Sequence, residues 1–253
     1  MKIWALADLH LAFGAPGKEM DAFGHPWTNY TEKIEENWRK LISSEDLVLL
    51  PGDISWALKF PDALLDLDWI HRLPGTKLMI RGNHDYWWPS LKKFKEQAPS
   101  SMHMIQNNSF NWNGVAIAGA RMWDSPEYSF NECIEFKENP RAKKSLATSA
   151  NSPEDEKIFL RELNRLEISL KTLSKDAKLR IVMTHYPPIG LDLAPSRVSE
   201  LLKKYKIDCC VFGHLHSVKA DQSLFGTSEG TRYELCSCDY VNFLPIKLYD
   251  WQT

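Results

Sequence analysis

Seven side chains of the kinds that bind divalent metals follow short apolar runs in this sequence. They are Asp8, His10, Asp53, Asn83, His185, His214 and His216. Short apolar runs bounded by Gly or Pro are typical of buried strands, and open α/β sheets place their sites just beyond the carboxyl ends of such strands. We therefore expect five strand ends to bring these side chains to one place.

The spacing and the types of these residues indicate a metal site. In an extended segment residues i and i+2 point the same way, so Asp8 and His10 can present two ligands to one centre, as can His214 and His216. Carboxylate oxygen and imidazole nitrogen suit manganese, iron(II) and zinc, and the absence of cysteine from these fragments disfavours a thiolate site. Because one catalytic metal takes only about three protein ligands, we expect two divalent ions.

The order Asp-x-His, Gly-Asp, Gly-Asn-His-Asp, His and Gly-His-x-His resembles the calcineurin-like metallophosphoesterase superfamily. The resemblance implies one metal held by Asp8, His10, Asp53 and His216, and a second held by Asp53, Asn83, His185 and His214. It thereby implies that Asp53 bridges the two ions. Two divalent ions facing two carboxylates and one hydroxide retain a charge of about +1, which attracts an anionic phosphate. The expected reaction is phosphoester hydrolysis by in-line attack of a metal-bridging hydroxide.

His84 directly follows a ligand, and the resemblance places it outside the ligand set, facing the substrate. A histidine with a pKa near neutrality can protonate a departing alkoxide, so we predict that His84 is the general acid. Asp85 stands beside it in the sequence. We expect its carboxylate to orient and charge the imidazole.

Four further residues are candidates for substrate contact. Trp56 and Trp87 each follow a candidate site residue by three positions and could stack on a nucleobase, although core packing explains them equally well. Arg121 follows a predicted strand and could bind a phosphate, with an ion pair as the favoured alternative. His25 lies in an aromatic loop and is the fourth candidate.

The expected substrate is small and phosphorylated, and it could be nucleotide-like. Phosphodiester and nucleotide-type pyrophosphate hydrolysis are favoured, because no pair of arginines is obviously placed to hold a dianionic monoester. A phosphomonoesterase is the alternative enzyme. A catalytically silent scaffold of the same fold is the alternative from another class, but such a module is expected to lose ligands, and every signature position is present here.

The elements that position these residues follow a repeating β–α pattern. Apolar periodicity and capping residues predict helices over 30–41, starting at Pro61, starting at Pro89, from Ser152 to about Lys175, and around Val198. Residues 104–105 and 115–118 are predicted to form a pair of strands. These elements alone predict a mostly parallel layered sheet. The resemblance implies a four-layer α/β/β/α sandwich with two mixed sheets.

Composition limits the class of protein. The 253 residues contain no Gly/Ser-rich linker, so we expect a single domain over 1–253, in which 123–151 is a lid or insertion segment. A net charge of −2 argues against a general nucleic-acid binder. Five scattered cysteines favour a reducing compartment, and no stretch approaches the ~20 apolar residues of a membrane span. The expected location is the cytoplasm, and the sequence leaves the oligomeric state open.

Overall fold

The computed structural model describes residues 1–135, 152–219 and 224–252. Its strands are β1 (Lys2–Ala5), β2 (Leu47–Leu50), β3 (Thr76–Met79), β4 (Met102–Met104), β5 (Phe110–Trp112), β6 (Val115–Ala120), β7 (Leu179–Thr184), β8 (Cys209–Phe212), β9 (Thr227–Ser228), β10 (Thr231–Leu235) and β11 (Ile246–Asp250). Its α-helices are α1 (Tyr30–Leu41), α2 (Phe60–His71), α3 (Leu91–Gln97), α4 (Pro153–Lys171) and α5 (Arg197–Lys204). A short 3₁₀ helix spans Met20–Phe23.

The strands form two mixed sheets. The first has the order β11-β1-β2-β3-β4, in which only β11 is antiparallel to its neighbour. The second has the order β5-β6-β7-β8-β10-β9, in which the central strands are parallel and the edge strands β5 and β9 are antiparallel. The prediction of two mixed sheets is confirmed.

The side chains of β1 show why the layers stack as they do. Ile3 and Ala5 are fully buried in the core between the two sheets. Trp4 and Leu6 point to the opposite face and pack in a second core that contains Trp38 of α1. A third core joins α4 and α5 to the outer face of the second sheet. Because successive strand residues point to opposite faces, each central strand is buried on both sides, and the helices form the outer layers.

The predicted pairing of 104–105 with 115–118 is wrong. Met104 lies in β4, which pairs with β3 in the first sheet. In the second sheet, β6 pairs with β5 in antiparallel register and with β7 in parallel register. The chain crosses between sheets near Asn107, whose φ of 61° lies in the left-handed region that asparagine tolerates. A turn signal in the sequence marks this crossing but does not tell which strand pairs with which.

Most helix boundaries lie near their predicted positions. The helix predicted to start at Pro89 begins two residues later, at Leu91, because the Ser90 hydroxyl caps it by accepting a hydrogen bond from the Lys93 amide at 3.3 Å. Ser152 forms a capping box with Asp155 at the start of α4, as expected of a helix N-terminus.

The predicted lid or insertion is described only in part. Residues 123–135 contain no helix, and their only bridge in the described chain pairs Ile134 with Val218. Residues 136–151 lie outside the described residues. Among the helices of the described ranges, none is long and apolar enough to cross a membrane.

Candidate active site

Both sheets supply candidate ligands from the carboxyl ends of their parallel strands. In the first sheet, Asp8 and His10 follow β1, Asp53 follows β2 and Asn83 follows β3. In the second sheet, the three histidines follow β7 and β8; they are His185, His214 and His216. The strand ends thus bring the seven predicted ligands together at one edge of the sandwich.

One cluster of ligand atoms surrounds His216. Its Nε2 lies 3.1 Å from His10 Nε2 and 3.6 Å from Asp8 Oδ1. His10 Nε2 lies 3.8 Å from Asp53 Oδ2. The ligand atoms of Asp8, His10 and His216 all lie within 4.8 Å of one another, which is close enough to share one ion.

A second cluster surrounds His185. Its Nε2 lies 2.6 Å from Asn83 Oδ1 and 3.4 Å from Asp53 Oδ2. His214 Nδ1 lies 3.1 Å from the same Asn83 oxygen. Asp53 Oδ2 is therefore near histidines of both clusters, where a bridging carboxylate has to lie.

In His185 and His216, one ring nitrogen donates a hydrogen bond away from the clusters. The other ring nitrogen, Nε2, therefore faces acceptor atoms inside the clusters. His185 Nδ1 lies 3.0 Å from the carbonyl oxygen of Pro51, which can only accept, so this nitrogen donates. In the neutral ring, Nε2 then turns a lone pair toward the Asn83 oxygen. His216 Nδ1 donates to Asp239 Oδ1 at 2.8 Å, and its Nε2 faces another imidazole. Lone pairs that converge in this way need protons or cations between them, and the mixed N/O donor set suits divalent metals.

The charges of the site shift the pKa values of its histidines in two directions. Burial lowers the pKa of His185, but the charges of Asp53 and Asp8 outweigh it and raise the value to about 9. For His10 and His214, burial dominates and holds the pKa well below the usual range. Histidine and carboxylate side chains bind a metal only in their deprotonated forms. A bound ion would therefore replace the protons that the negative charges of Asp8 and Asp53 otherwise attract to the histidines.

Glycine is required at two positions where strand-end loops approach carboxylates. A Cβ on Gly82 would overlap the carboxylate of Asp53, and a Cβ on Gly213 would overlap that of Asp8. The His214 amide, next to Gly213, donates to both Asp8 carboxylate oxygens at 3.2 and 3.0 Å. The glycines of the Gly-Asn-His and Gly-His motifs therefore make room for the ligands.

Asp239 is a site residue that the sequence analysis missed. Its Oδ1 accepts the hydrogen bond from His216 Nδ1, and its Oδ2 accepts one from the Ser217 amide at 2.8 Å. A carboxylate behind a metal-binding histidine fixes the ring and makes it a stronger ligand. The signal was an acidic residue a few positions beyond β10, which is the parallel neighbour of β8, the strand that His216 follows.

His84 lies beside the ligand clusters. Its ring centroid is 4.4 Å from that of Trp56 and 5.7 Å from that of His10, and its amide donates to Asp53 Oδ1 at 2.8 Å. Burial lowers the pKa of the half-buried imidazole.

Asp85 does not orient this imidazole, contrary to the expectation from the sequence. Its carboxylate accepts hydrogen bonds from the amides of Ile54, Ser55 and Gly82 and from the indole of Trp87, at 2.7–3.2 Å. These donors occupy both oxygens and join the loops after β2 and β3. Asp85 therefore positions the loops that carry the ligands. Its place next to His84 in the chain does not bring its carboxylate to the imidazole.

The four candidates for substrate contact have different environments. Trp56 stacks on His10, with ring centroids 4.9 Å apart. Trp87 is only 3% exposed and packs on Phe60, so it belongs to the core and cannot stack on a substrate in this structure. His25 is exposed in the loop after β1. Arg121 forms the ion pair that the sequence analysis favoured, with its Nη2 3.4 Å from the buried Glu162.

An aromatic cleft borders the ligand clusters. It has a volume of about 630 Å³, and its lining includes His214 and the rings of Trp123, Tyr128, Phe130 and Tyr186. The ring of Tyr186 lies 4.0 Å from His214 and 5.2 Å from Trp123, measured between centroids. A flat apolar group bound at the metal site could extend along these rings.

The fold and the ligand set define a class of metal-dependent phosphoesterases. Over residues 1–218, the sequence matches the family described as calcineurin-like phosphoesterase. The protein belongs to the calcineurin-like phosphoesterase family, and the predicted resemblance is confirmed.

Individual relatives are more distant. Gene 66 protein of Mycobacterium phage D29 is 33% identical over 84 residues, which are 33% of this chain and 40% of the phage protein. The match thus spans less than half of that curated relative. Phosphopantetheinyl hydrolase from Mycobacterium tuberculosis superposes with a TM-score of 0.53 at 15% identity, covering 99% of this chain and 96% of that one. GAP50 of Plasmodium, the anchor in the inner membrane complex, gives 0.51 at 15% identity, with coverages of 94% and 72%. The two structures support the fold.

Proposed function

We propose that the protein is a metal-dependent hydrolase of phosphodiesters or nucleotide-type pyrophosphates. The observation that carries the proposal is the convergence of carboxylate, amide and imidazole acceptors from both sheets on two adjacent clusters. When bound, two divalent ions would supply an activated water and offset charge on the phosphorus centre. The residues that would hold them are Asp8, His10, Asp53, Asn83, His185, His214 and His216.

His84 supplies the proton in the proposed reaction. It lies next to the ligands without belonging to either cluster, so its ring is free for the leaving group. A bound phosphate anion would favour the protonated imidazole and oppose the effect of burial. Protonation of the departing oxygen then matters most for an alkoxide, which is a poor leaving group.

The aromatic cleft supports a substrate with a nucleobase. Stacking of one base on an aromatic side chain contributes about 1–3 kcal/mol. The cleft begins at His214, so a group attached to the reacting phosphate would reach Tyr186 and Trp123 without a long linker. In this proposal these rings take the role that the sequence analysis considered for Trp87.

Elemental analysis and a substrate panel test the proposal. Wild type and Asp53→Asn are compared with manganese on bis-nitrophenyl phosphate, nitrophenyl phosphate and ADP-ribose. We expect bound metal in the wild type, with turnover of the diester and the pyrophosphate above that of the monoester. Asp53→Asn should lose that turnover, because it removes the carboxylate shared by both clusters, and the same comparison excludes a contaminating hydrolase.

Two other outcomes would contradict the proposal. Turnover confined to nitrophenyl phosphate would identify a phosphomonoesterase. A wild-type protein with neither bound metal nor metal-dependent turnover would be a scaffold that keeps the fold without the reaction.

A further inference from the structure

An arginine-lined cavity of about 110 Å³ lies at the carboxyl ends of β3, β4 and β6. We name it the arginine cavity, after Arg81, Arg121 and Arg165 in its lining. Arg81 is two residues before Asn83, and the carbonyl oxygen of Arg121 accepts a hydrogen bond from the His185 amide at 3.1 Å. Two residues of the lining are thus linked to ligands of the second cluster, one through the chain and one through a backbone hydrogen bond.

The arginine cavity carries more positive charge than its single carboxylate offsets. The buried Glu162 places Oε1 2.7 Å from Arg165 Nη1, 3.4 Å from Arg121 Nη2 and 3.6 Å from Arg161 Nε. With Arg81, three arginines line the cavity itself, and Arg161 lies beside it. One carboxylate neutralises one of these charges, so the cavity retains a positive potential that an anion would offset.

Two of the guanidinium groups are held in place before any ligand binds. Arg121 has only 13% of its side chain exposed, and its guanidinium carbon lies 4.7 Å from the ring centroid of Trp123. Arg81 Nε donates to the carbonyl oxygen of Asp85 at 3.1 Å. Burial lowers the pKa of Arg121, the charges of Glu162 and Tyr186 oppose this shift, and the positive charges of Arg81 and Arg161 lower the pKa further.

The volume and the remaining lining fit a small oxyanion. The cavity has room for several water molecules, and therefore for a phosphate-sized group. Gln106 and Asn107 add side-chain amides to the lining. The guanidinium group offers paired N–H donors that match two phosphate oxygens at once, which an ammonium group cannot do.

We propose that the arginine cavity binds the non-scissile phosphate of a substrate with two linked phosphates, while the scissile phosphate lies at the metal centre. This inference rests on the proposed function and selects the pyrophosphate among its substrates. The sequence analysis found no pair of arginines obviously placed to hold a dianionic monoester. In the structure, Arg81 and Arg121 line the same cavity although they are 40 residues apart in the sequence.

Binding of inorganic phosphate tests the arginine cavity independently of turnover. The full-length chain is freed of metal with a chelator, checked for folding by circular dichroism and titrated with phosphate by calorimetry. Arg121→Gln should raise the Kd about tenfold or more, as expected for loss of a hydrogen bond to a charged group. Arg161→Gln is the matched control, because Arg161 also contacts Glu162 but does not line the cavity. It should change the Kd less than about twofold.

Steady-state kinetics on the manganese-loaded protein provide the second test. The ratio of kcat/KM for ADP-ribose to that for bis-nitrophenyl phosphate should fall about tenfold in Arg121→Gln, mainly through KM. Arg161→Gln should keep the wild-type ratio. Arg81→Gln should lower this ratio as well. Because Arg81→Gln leaves the contacts of Glu162 intact, it serves as the test variant if Arg121→Gln does not fold. Arg121→Lys should recover part of the loss, because it restores charge without the paired donors.

The outcomes separate the two proposals. Equal phosphate affinities and equal kinetic ratios in Arg121→Gln and Arg161→Gln would show that the arginines only anchor α4, and would overturn the inference. Phosphate binding that depends on Arg121, in a protein that hydrolyses no phosphoester, would keep the arginine cavity and reject the proposed hydrolase.

Discussion

The hydrogen bond between Asp239 and His216 shows how one residue outside the ligand clusters sets the state of a ligand. Burial lowers the pKa of His216, but the charge and the hydrogen bond of Asp239, together with the charges of Asp8 and Asp53, outweigh it and raise the value to about 9. The same bond fixes Nδ1 as the nitrogen that donates to Asp239, so the proton that a metal would displace is the one on Nε2. Asp239 therefore decides which atom of His216 faces the site.

We predict that Asp239→Asn weakens metal binding about 10- to 100-fold, the usual cost of losing such a partner. The amide keeps the size of the side chain but removes the negative charge behind the ring. Competition with a chromogenic chelator measures the change. Asp250→Asn is the control, since that carboxylate pairs with Lys247 on the surface, and its metal affinity should equal that of the wild type. Unchanged affinity in Asp239→Asn would contradict the role given to this residue.

Replacement of His84 by alanine should separate proton transfer from metal binding. We expect His84→Ala to keep the metal content of the wild type and to lose about 100-fold or more in kcat on an alkyl phosphodiester. The loss on a nitrophenyl ester should be far smaller, because that leaving group departs without a proton. His103→Ala serves as the control, since this histidine lies on β4 and packs on Phe110 of β5. Similar losses on the two esters would reject His84 as the general acid.

At the scale of residues, sequence patterns predicted groups that follow a strand directly and missed those that act across space. Asp8 and His214 end apolar runs, so their place at the sheet edge could be read from the chain. Asp239 meets a histidine 23 residues earlier, a contact that depends on how β10 lies beside β8. Trp56 and Trp87 have the same spacing from site residues, yet only Trp87 is fully buried, because tertiary packing decides burial.

At the scale of elements, the loops after parallel strands need glycine wherever two of them meet at the centre. We predict that Gly213→Ala destabilises the protein by about 1–3 kcal/mol and reduces its metal content, since the added methyl group would displace Asp8. Urea unfolding and elemental analysis measure the two effects. Gly226→Ala is the matched control, because among the described residues its added Cβ would meet only Leu193, at 3.8 Å. A Gly213→Ala protein with normal stability and metal content would show that the loop can move aside.

Short-range sequence patterns predicted where helices and strands lie better than they predicted which strands pair with each other. Ser152 and Ser90 begin helices through hydrogen bonds to residues three positions ahead, so short-range rules suffice for them. The pairing of β4 with β3, and of β6 with β5, depends on which sheet each apolar strand joins. Both sheets bury their strands on two faces, so hydrophobicity alone does not distinguish them.

At the scale of the whole molecule, the two clusters connect the sheets. Asp8 belongs to the first sheet and His216 to the second, and the same holds for Asn83 and His185 in the other cluster. The core between the sheets consists of apolar side chains, so these clusters are polar contacts at one edge of it. An ion in either cluster would therefore join two layers that otherwise pack mainly through hydrophobic burial.

Removal of metal should for this reason lower the stability of the whole sandwich. At a metal concentration about 100 times Kd, each site adds about 2.7 kcal/mol to the free energy of unfolding, so chelation should lower Tm by several degrees. Calorimetry with excess manganese and with chelator measures the shift, and renewed addition of manganese should restore it. Asp53→Asn should show a much smaller shift, because both clusters lose their shared carboxylate. A shift of equal size in that variant would locate the stabilising metal elsewhere, since an ion that does not need Asp53 cannot be the one joining the sheets at this centre.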